Sequence, residues 1–216
     1  MVTDRLAKLR QEMTKRNIAV YIVPTADFHG SEYVGEHFKA RKYITGFTGS
    51  AGTAVITMTE AGLWTDGRYF VQAAQQLEGS TIELRKMGME GVPTIEEYLK
   101  DTLKEGEIIG FDGRVVSGTW GNTLLEIARE KNGSLYVDED LVDIIWEDRP
   151  PMSKADVMLF DIKYTGRDAS DKLADVRNVM KEKGADVHLM SSLYDIAWLL
   201  NVRGGDISYV PVVLSY

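Results

Sequence analysis

Few side chains in this 216-residue sequence could carry chemistry. The imidazoles are His29, His37 and His188. There is no cysteine, which removes thiol nucleophiles, thiolate metal ligands and disulfides together. The stretch HGSEYVGEH brings His29, Glu32, Glu36 and His37 close in sequence. It fits neither the H-E-x-x-H nor the H-x-x-E-H zinc spacing, which sets ligands one helical turn apart, so it reads as polar surface on a loop or short helix. His188 falls inside an apolar run and reads as a core or sheet-end histidine. Ser50 lies in GFTGSAG without a G-x-S-x-G elbow or an assignable His and Asp. Those glycines could cradle a phosphate, yet they precede a strand rather than open a helix. Tight turns and close backbone packing explain them better, and the same holds for Arg203-Gly204-Gly205. Asp138-Glu139-Asp140, adjacent in sequence, cannot all face one metal and read as a solvated acidic face.

Arg68 stands apart. It follows Thr65-Asp66-Gly67 at a change from strand to helix, where side chains are displayed rather than buried. A guanidinium there could bind a peptide carboxylate or carbonyl through its paired donors. The residues alone favour a plainer reading, an ion pair with Asp66 or Glu83.

The elements that must position these residues follow from periodicity. Thr3 can cap a first helix with Leu6, Leu9 and Met13 on one face. Residues 18–23 are an apolar, β-branched strand closed by Pro24. Residues 53–59 and 63–65 form strands of a hairpin turning at Glu60-Ala61-Gly62. A helix over 68–77 puts Phe70, Val71, Ala74 and Leu77 on one stripe. A strand over 82–87 precedes a helix that opens at Pro93-Thr94, with Thr94 and Glu97 as a capping box. A strand over 108–111, a helix over 119–131 and a strand over 135–137 complete the series. Strands alternating with helices predict an α/β fold, a mixed sheet covered by helices on both faces. Arg149-Pro150-Pro151 marks the boundary between a first domain, 1–150, and a second, 151–216.

An internal repeat relates the two domains. Residues 3–22 align without gaps on residues 170–189, an offset of 167 positions, with six identities: Asp4/Asp171, Leu6/Leu173, Ala7/Ala174, Arg10/Arg177, Met13/Met180 and Val20/Val187. Chance would give about one. A weaker likeness relates residues 43–49 to residues 198–205, and Ala54-Val55-Ile56 to Val212-Val213-Leu214. The second copy stops two residues later, at Tyr216, and is expected to be incomplete.

Composition narrows the function. Apolar residues at 44% and charged residues at 27% are ordinary for a soluble globular chain. No apolar run approaches the roughly 20 residues of a membrane span, and the N-terminus has no signal-peptide core. A net charge of -8 without a basic block argues against nucleic-acid or anionic-membrane partners. The missing cysteines fit a cytoplasmic location.

The runs SEYVGEHFKARKYITGFTGSAGTAVIT and GLWTDGRYFVQAAQQL resemble the first domain of three-domain Xaa-Pro aminopeptidases, and LYDIAWLLNVRGGDISYVPVVLSY resembles the second. The resemblance covers nearly the whole chain. It implies a creatinase/prolidase N-terminal-type fold in both domains. It also implies a pita-bread catalytic domain beyond these residues, where two aspartates, a histidine and two glutamates hold two manganese ions. No metal ligand or catalytic residue can then be carried onto this chain, which alone is expected to be inactive. Arg68 is implied as a peptide-binding residue at the edge of the catalytic cleft. The two front domains are implied to narrow the entrance to that cleft and to form a homodimer. The substrates implied are short peptides with proline in second position. Alternatives from the residues are a free-standing creatinase-fold binding or assembly module and the front of a prolidase-type dipeptidase or creatinase-like enzyme.

Overall fold

Helix α1 (Val2–Lys15) buries Leu6, Leu9 and Met13 on one stripe, as their spacing requires. Met1, not Thr3, takes the N-cap position, because the terminal ammonium reaches the Asp4 carboxylate at 3.1 Å. The computed structural model describes residues 1–216, and contacts divide the chain into two compact units. The first comprises Met1–Glu32 and His37–Pro150, the second Tyr33–Glu36 and Pro151–Tyr216.

The first unit is built on a six-stranded mixed sheet. Its strands are β1 (Ile18–Pro24), β2 (Thr53–Thr57), β3 (Ala61–Thr65), β4 (Glu83–Lys86), β5 (Ile108–Phe111) and β6 (Ser134–Tyr136). Their order is β4-β3-β2-β1-β5-β6. β1, β2 and β3 pair antiparallel in sequence order, whereas β3/β4, β1/β5 and β5/β6 are parallel. Alternation along the strands splits the core into two halves. Tyr21, Val23, Ala54, Ile56 and Leu63 pack on α1, α2 (Ala40–Thr45) and α3 (Phe70–Gln76). Val20, Ile22, Val55, Trp64, Ile109 and Phe111 pack on α4 (Ile95–Thr102) and α5 (Gly118–Glu130). A short α6 (Leu141–Ile145) adds three apolar side chains to the first half. Helices therefore cover both faces of the sheet, the three-layer α/β architecture expected.

Some expectations shift. The hairpin turns earlier, at Thr57–Glu60, where Thr57 Oγ1 accepts the N–H groups of Thr59 and Glu60. In α3 the buried face is Ala73, with Leu77 just beyond the helix, while Val71 and Ala74 face solvent. A 3-10 turn over Gly67–Tyr69 precedes the helix and changes its phase. The capping box of α4 forms as read, with Thr94 N–H on Glu97 Oε2 at 2.8 Å and Glu97 N–H on Thr94 Oγ1 at 3.1 Å. The Asp138-Glu139-Asp140 run is not wholly solvated. Asp140 is buried because it caps α6 and accepts Arg149 Nη1 at 2.6 Å.

The second unit holds β7 (Met158–Leu159), α7 (Ile162–Thr165), α8 (Ala169–Glu182), α9 (Leu193–Leu200) and β8 (Val202–Arg203). β7 and β8 form a two-stranded antiparallel sheet, and Leu193, Ala197, Ile207 and Val212 make a small core. Helix α8 sits at the same offset of 167 from α1. Gly46 and Asn201 end α2 and α9 alike, in the left-handed conformation at φ 77 and φ 52. The repeat sets residues 185–191 against β1, yet no strand forms there: they join no sheet, and Val187 and Leu189 are exposed. His188 is therefore exposed too, not a core or sheet-end residue. Val212-Val213-Leu214 likewise joins no ladder. Helix hydrogen bonds close within a segment, whereas a strand needs a neighbour.

Candidate site around Arg68

β3, paired on both edges, ends at Thr65 and delivers the next residues to the surface. Asp66 caps the 3-10 turn by accepting the N–H of Arg68 on Oδ1 at 3.0 Å. The same carboxylate takes both ends of the Arg68 fork, Nε on Oδ1 and Nη2 on Oδ2, each at 2.9 Å. This hydrogen bonding lowers the pKa of Asp66 and raises that of Arg68. Of the two partners expected from sequence, Asp66 is the one engaged; Glu83 pairs with Arg85 instead. The fork leaves Arg68 Nη1 directed elsewhere, 3.7 Å from Glu32 Oε1, and 61% of the side chain is exposed. Glu32, read from the sequence as polar surface, thus sits beside Arg68.

Beneath Arg68 lies an ordered polar and aromatic layer. The guanidinium stands 5.2 Å over the Tyr69 ring. The Tyr69 hydroxyl shares a 2.7 Å hydrogen bond with Ser50 Oγ, and its ring meets Phe47 edge-on at 5.7 Å. Ser50 therefore has a tyrosine, not a base, as its partner. The GFTGSAG loop that carries Phe47 and Ser50 is gripped from behind by Arg41. This buried arginine donates from Nε to Thr25 Oγ1 at 2.9 Å, from Nη1 to Phe47 O at 2.5 Å, and from Nη2 to Gly49 O. Burial pulls its pKa down to about 10, which still leaves it charged at neutral pH.

The Asp-Gly-Arg pattern recurs after β5 as Asp112-Gly113-Arg114, a signal present in the sequence itself. Arg114 repeats the geometry on Asp112, with its N–H, Nε and Nη2 at 3.0, 2.9 and 3.1 Å. There the carboxylate is buried and the guanidinium lies over Phe28 at 5.1 Å. The fork is thus a way of ending a strand. Arg68 has Glu32 at 3.7 Å in addition to its fork partner.

No group of three or more His, Asp or Glu side chains converges as a metal site. His37 Nδ1 is bonded to Pro150 O at 2.8 Å, and Asp27 Oδ1 accepts the N–H groups of His29 and Ser31. With no such group, the residues of HGSEYVGEH do not fit a di-manganese centre. No helix is long and apolar enough to cross a membrane.

Two models described as the creatinase/prolidase N-terminal domain match the chain, one over residues 5–140 and one over residues 148–216. A probable Xaa-Pro aminopeptidase P of Sordaria macrospora is 43% identical over 217 residues, covering 99% of this chain and 35% of its own. One from Paracoccidioides brasiliensis is 40% identical over 216 residues, with the same shares covered. The crystal structure of an X-prolyl aminopeptidase from Caenorhabditis elegans, described as a cytosolic enzyme with a di-nuclear active site, is similar at a TM-score of 0.90 and 34% identity. That likeness covers 100% of this chain and 37% of the other. The chain spans about a third of the length of these relatives.

Proposed function

The chain belongs to the creatinase/prolidase N-terminal domain family, and on that premise we propose that it is the non-catalytic front region of an Xaa-Pro aminopeptidase. In this reading Arg68 orients a short peptide whose second residue is proline. The manganese ions and the bond-breaking chemistry belong to a further domain outside these 216 residues. The two front units narrow access to the catalytic cleft and take part in a homodimer, in the cytoplasm.

The observation that carries the reading is the Asp66–Arg68 fork with Glu32 alongside. One guanidinium faces two carboxylates, so the cluster has no surplus positive charge for a free carboxylate. It offers a donor, Arg68 Nη1, and an acceptor, Glu32 Oε1, side by side. That pair suits a peptide carbonyl together with a peptide N–H or an α-ammonium group. Asp66 keeps the arginine pre-aimed, which lowers the entropy lost on binding.

The test is hydrolysis of a short Xaa-Pro peptide with added manganese. It compares this chain with the product of the gene read to its natural stop. Activity only in the longer product supports the reading. Activity in neither turns it towards a binding module, and activity in the short chain overturns the assignment of catalysis to a further domain.

A further inference from the structure

Arg68 stands on a single 3-10 turn, a short element with few backbone bonds of its own. Asp66 orients the guanidinium, but Asp66 is itself 38% exposed and rides on the same turn. β3 and α3 hold the two ends of the turn, and side-chain contacts made by the turn itself fix its middle to the body of the domain.

We infer that Tyr69 is a positioning residue for the Arg68 site, locking its turn to the GFTGSAG loop, with Arg41 holding that loop rigid. The inference rests on the reading of Arg68 as a peptide-binding residue. Tyr69 is tied at several points at once: its hydroxyl to Ser50 Oγ at 2.7 Å, its ring edge to Phe47, and its face to Arg68. The fit is close. A Cβ on Gly49 would stand 2.7 Å from Tyr69 Cδ1 and nearer still to Phe47 Cζ, so only glycine lets the loop approach.

Behind the loop, all three Arg41 hydrogen bonds go to uncharged oxygens, two of them loop carbonyls. Its guanidinium also stacks on Phe47 at 4.6 Å. Keeping a cation buried on such partners is costly, and it gives the loop a fixed shape rather than mere adhesion. The path runs from Arg41 through Phe47 and Gly49 to Tyr69, and ends on Arg68.

The experiment uses the complete gene product and steady-state hydrolysis of a short Xaa-Pro peptide, with Tyr69→Phe, Ser50→Ala, Arg68→Ala and Tyr69→Phe combined with Arg68→Ala. Each of the first two removes a single oxygen, and their melting temperatures are measured alongside. Loss of one hydroxyl bond should raise KM about two- to tenfold with kcat little changed. On the Arg68→Ala background the same change should have no further effect, because nothing is left to position. A KM in Tyr69→Phe and Ser50→Ala equal to the parent's, while Arg68→Ala is impaired, overturns the positioning role. So does an equal loss with and without Arg68. Wild-type kinetics in Arg68→Ala would instead overturn the reading of Arg68 itself.

Discussion

Lys172 Nζ donates to the carbonyl of Trp198 at 2.8 Å and lies over the ring of the same residue at 4.7 Å. Arg5 treats Tyr43 in the same way, donating to its carbonyl at 2.7 Å and standing 4.2 Å over its ring. Arg5 and Lys172 occupy equivalent places in α1 and α8, and Tyr43 and Trp198 equivalent places in α2 and α9. Both units thus join two helices through a cation on a ring and its carbonyl. Lys172 goes further, since it is buried and also reaches Asn201 Oδ1 at 2.5 Å.

Replacing Lys172 by Met should therefore loosen α9 from α8. The methionine fills the space, but the Trp198 carbonyl and Asn201 Oδ1 lose their donor, at a cost of about 1–3 kcal/mol. Hydrogen exchange read by mass spectrometry should show faster exchange in α9 and unchanged rates in the six-stranded sheet. Equal rates in α9 would mean that the contact holds nothing.

Acid should weaken the front unit through Arg16. This residue bridges Glu12 of α1 at 2.7 Å and Glu139 beyond β6 at 2.7 Å. Hydrogen bonds from Lys15 and then Arg16 lower the pKa of Glu12; those from Tyr136 and then Arg16 lower that of Glu139. Carboxylates held below their ordinary value of 4.5 stabilise the fold in full above it. That contribution is lost as pH falls through their lower folded values. Melting temperatures followed from about pH 6 down to about pH 3 should fall, and Arg16→Met should flatten the acid limb. An unchanged slope in the variant would assign the acid sensitivity elsewhere.

The halves of this fold differ in how openly the sequence announces them. α1 was legible because Leu6, Leu9 and Met13 keep helical spacing, and α4 because Thr94 and Glu97 form a capping box. α6 was not, since five residues are too few to show a 3.6-residue period. The turn that displays Arg68 could be read from the switch between β3 and α3. Its neighbours could not: Glu32, Ser50 and Arg41 lie far off in sequence, and only the antiparallel return of β2 and β3 brings the GFTGSAG loop beside the end of β3. The reading of His188 as a core or sheet-end residue failed for a related reason, because a strand is decided by partners that local sequence does not contain.

Gly49 should tolerate no side chain. Gly49→Ala places a methyl against Phe47 and Tyr69, where neither ring can move without breaking the Arg41 or Ser50 contacts. Overpacking of this kind costs about 1–3 kcal/mol. Denaturant melts should show that loss, whereas Gly79→Ala, at a position open to solvent but at φ +72, should lose less, through backbone strain alone. Equal stability of Gly49→Ala and the parent would show that the loop is looser than its contacts imply.

Residues 18–24 and 185–191 provide the sharpest contrast between related segments. The first is β1, central in the sheet, with Val20, Tyr21 and Ile22 buried and a partner strand on each side. The second carries Val187 where the first has Val20, yet it is exposed and bonded to no strand. Amide exchange in this 216-residue chain should therefore be slow in β1, approaching the rate of global unfolding, and fast through residues 185–191. α8, immediately before them, should fall between, because its hydrogen bonds are internal to the helix. Protection of residues 185–191 comparable to β1 would mean that the segment has found a strand to pair with, either in its own chain or in a second copy. Exchange repeated over a range of protein concentration separates the two, since only pairing between copies strengthens with concentration.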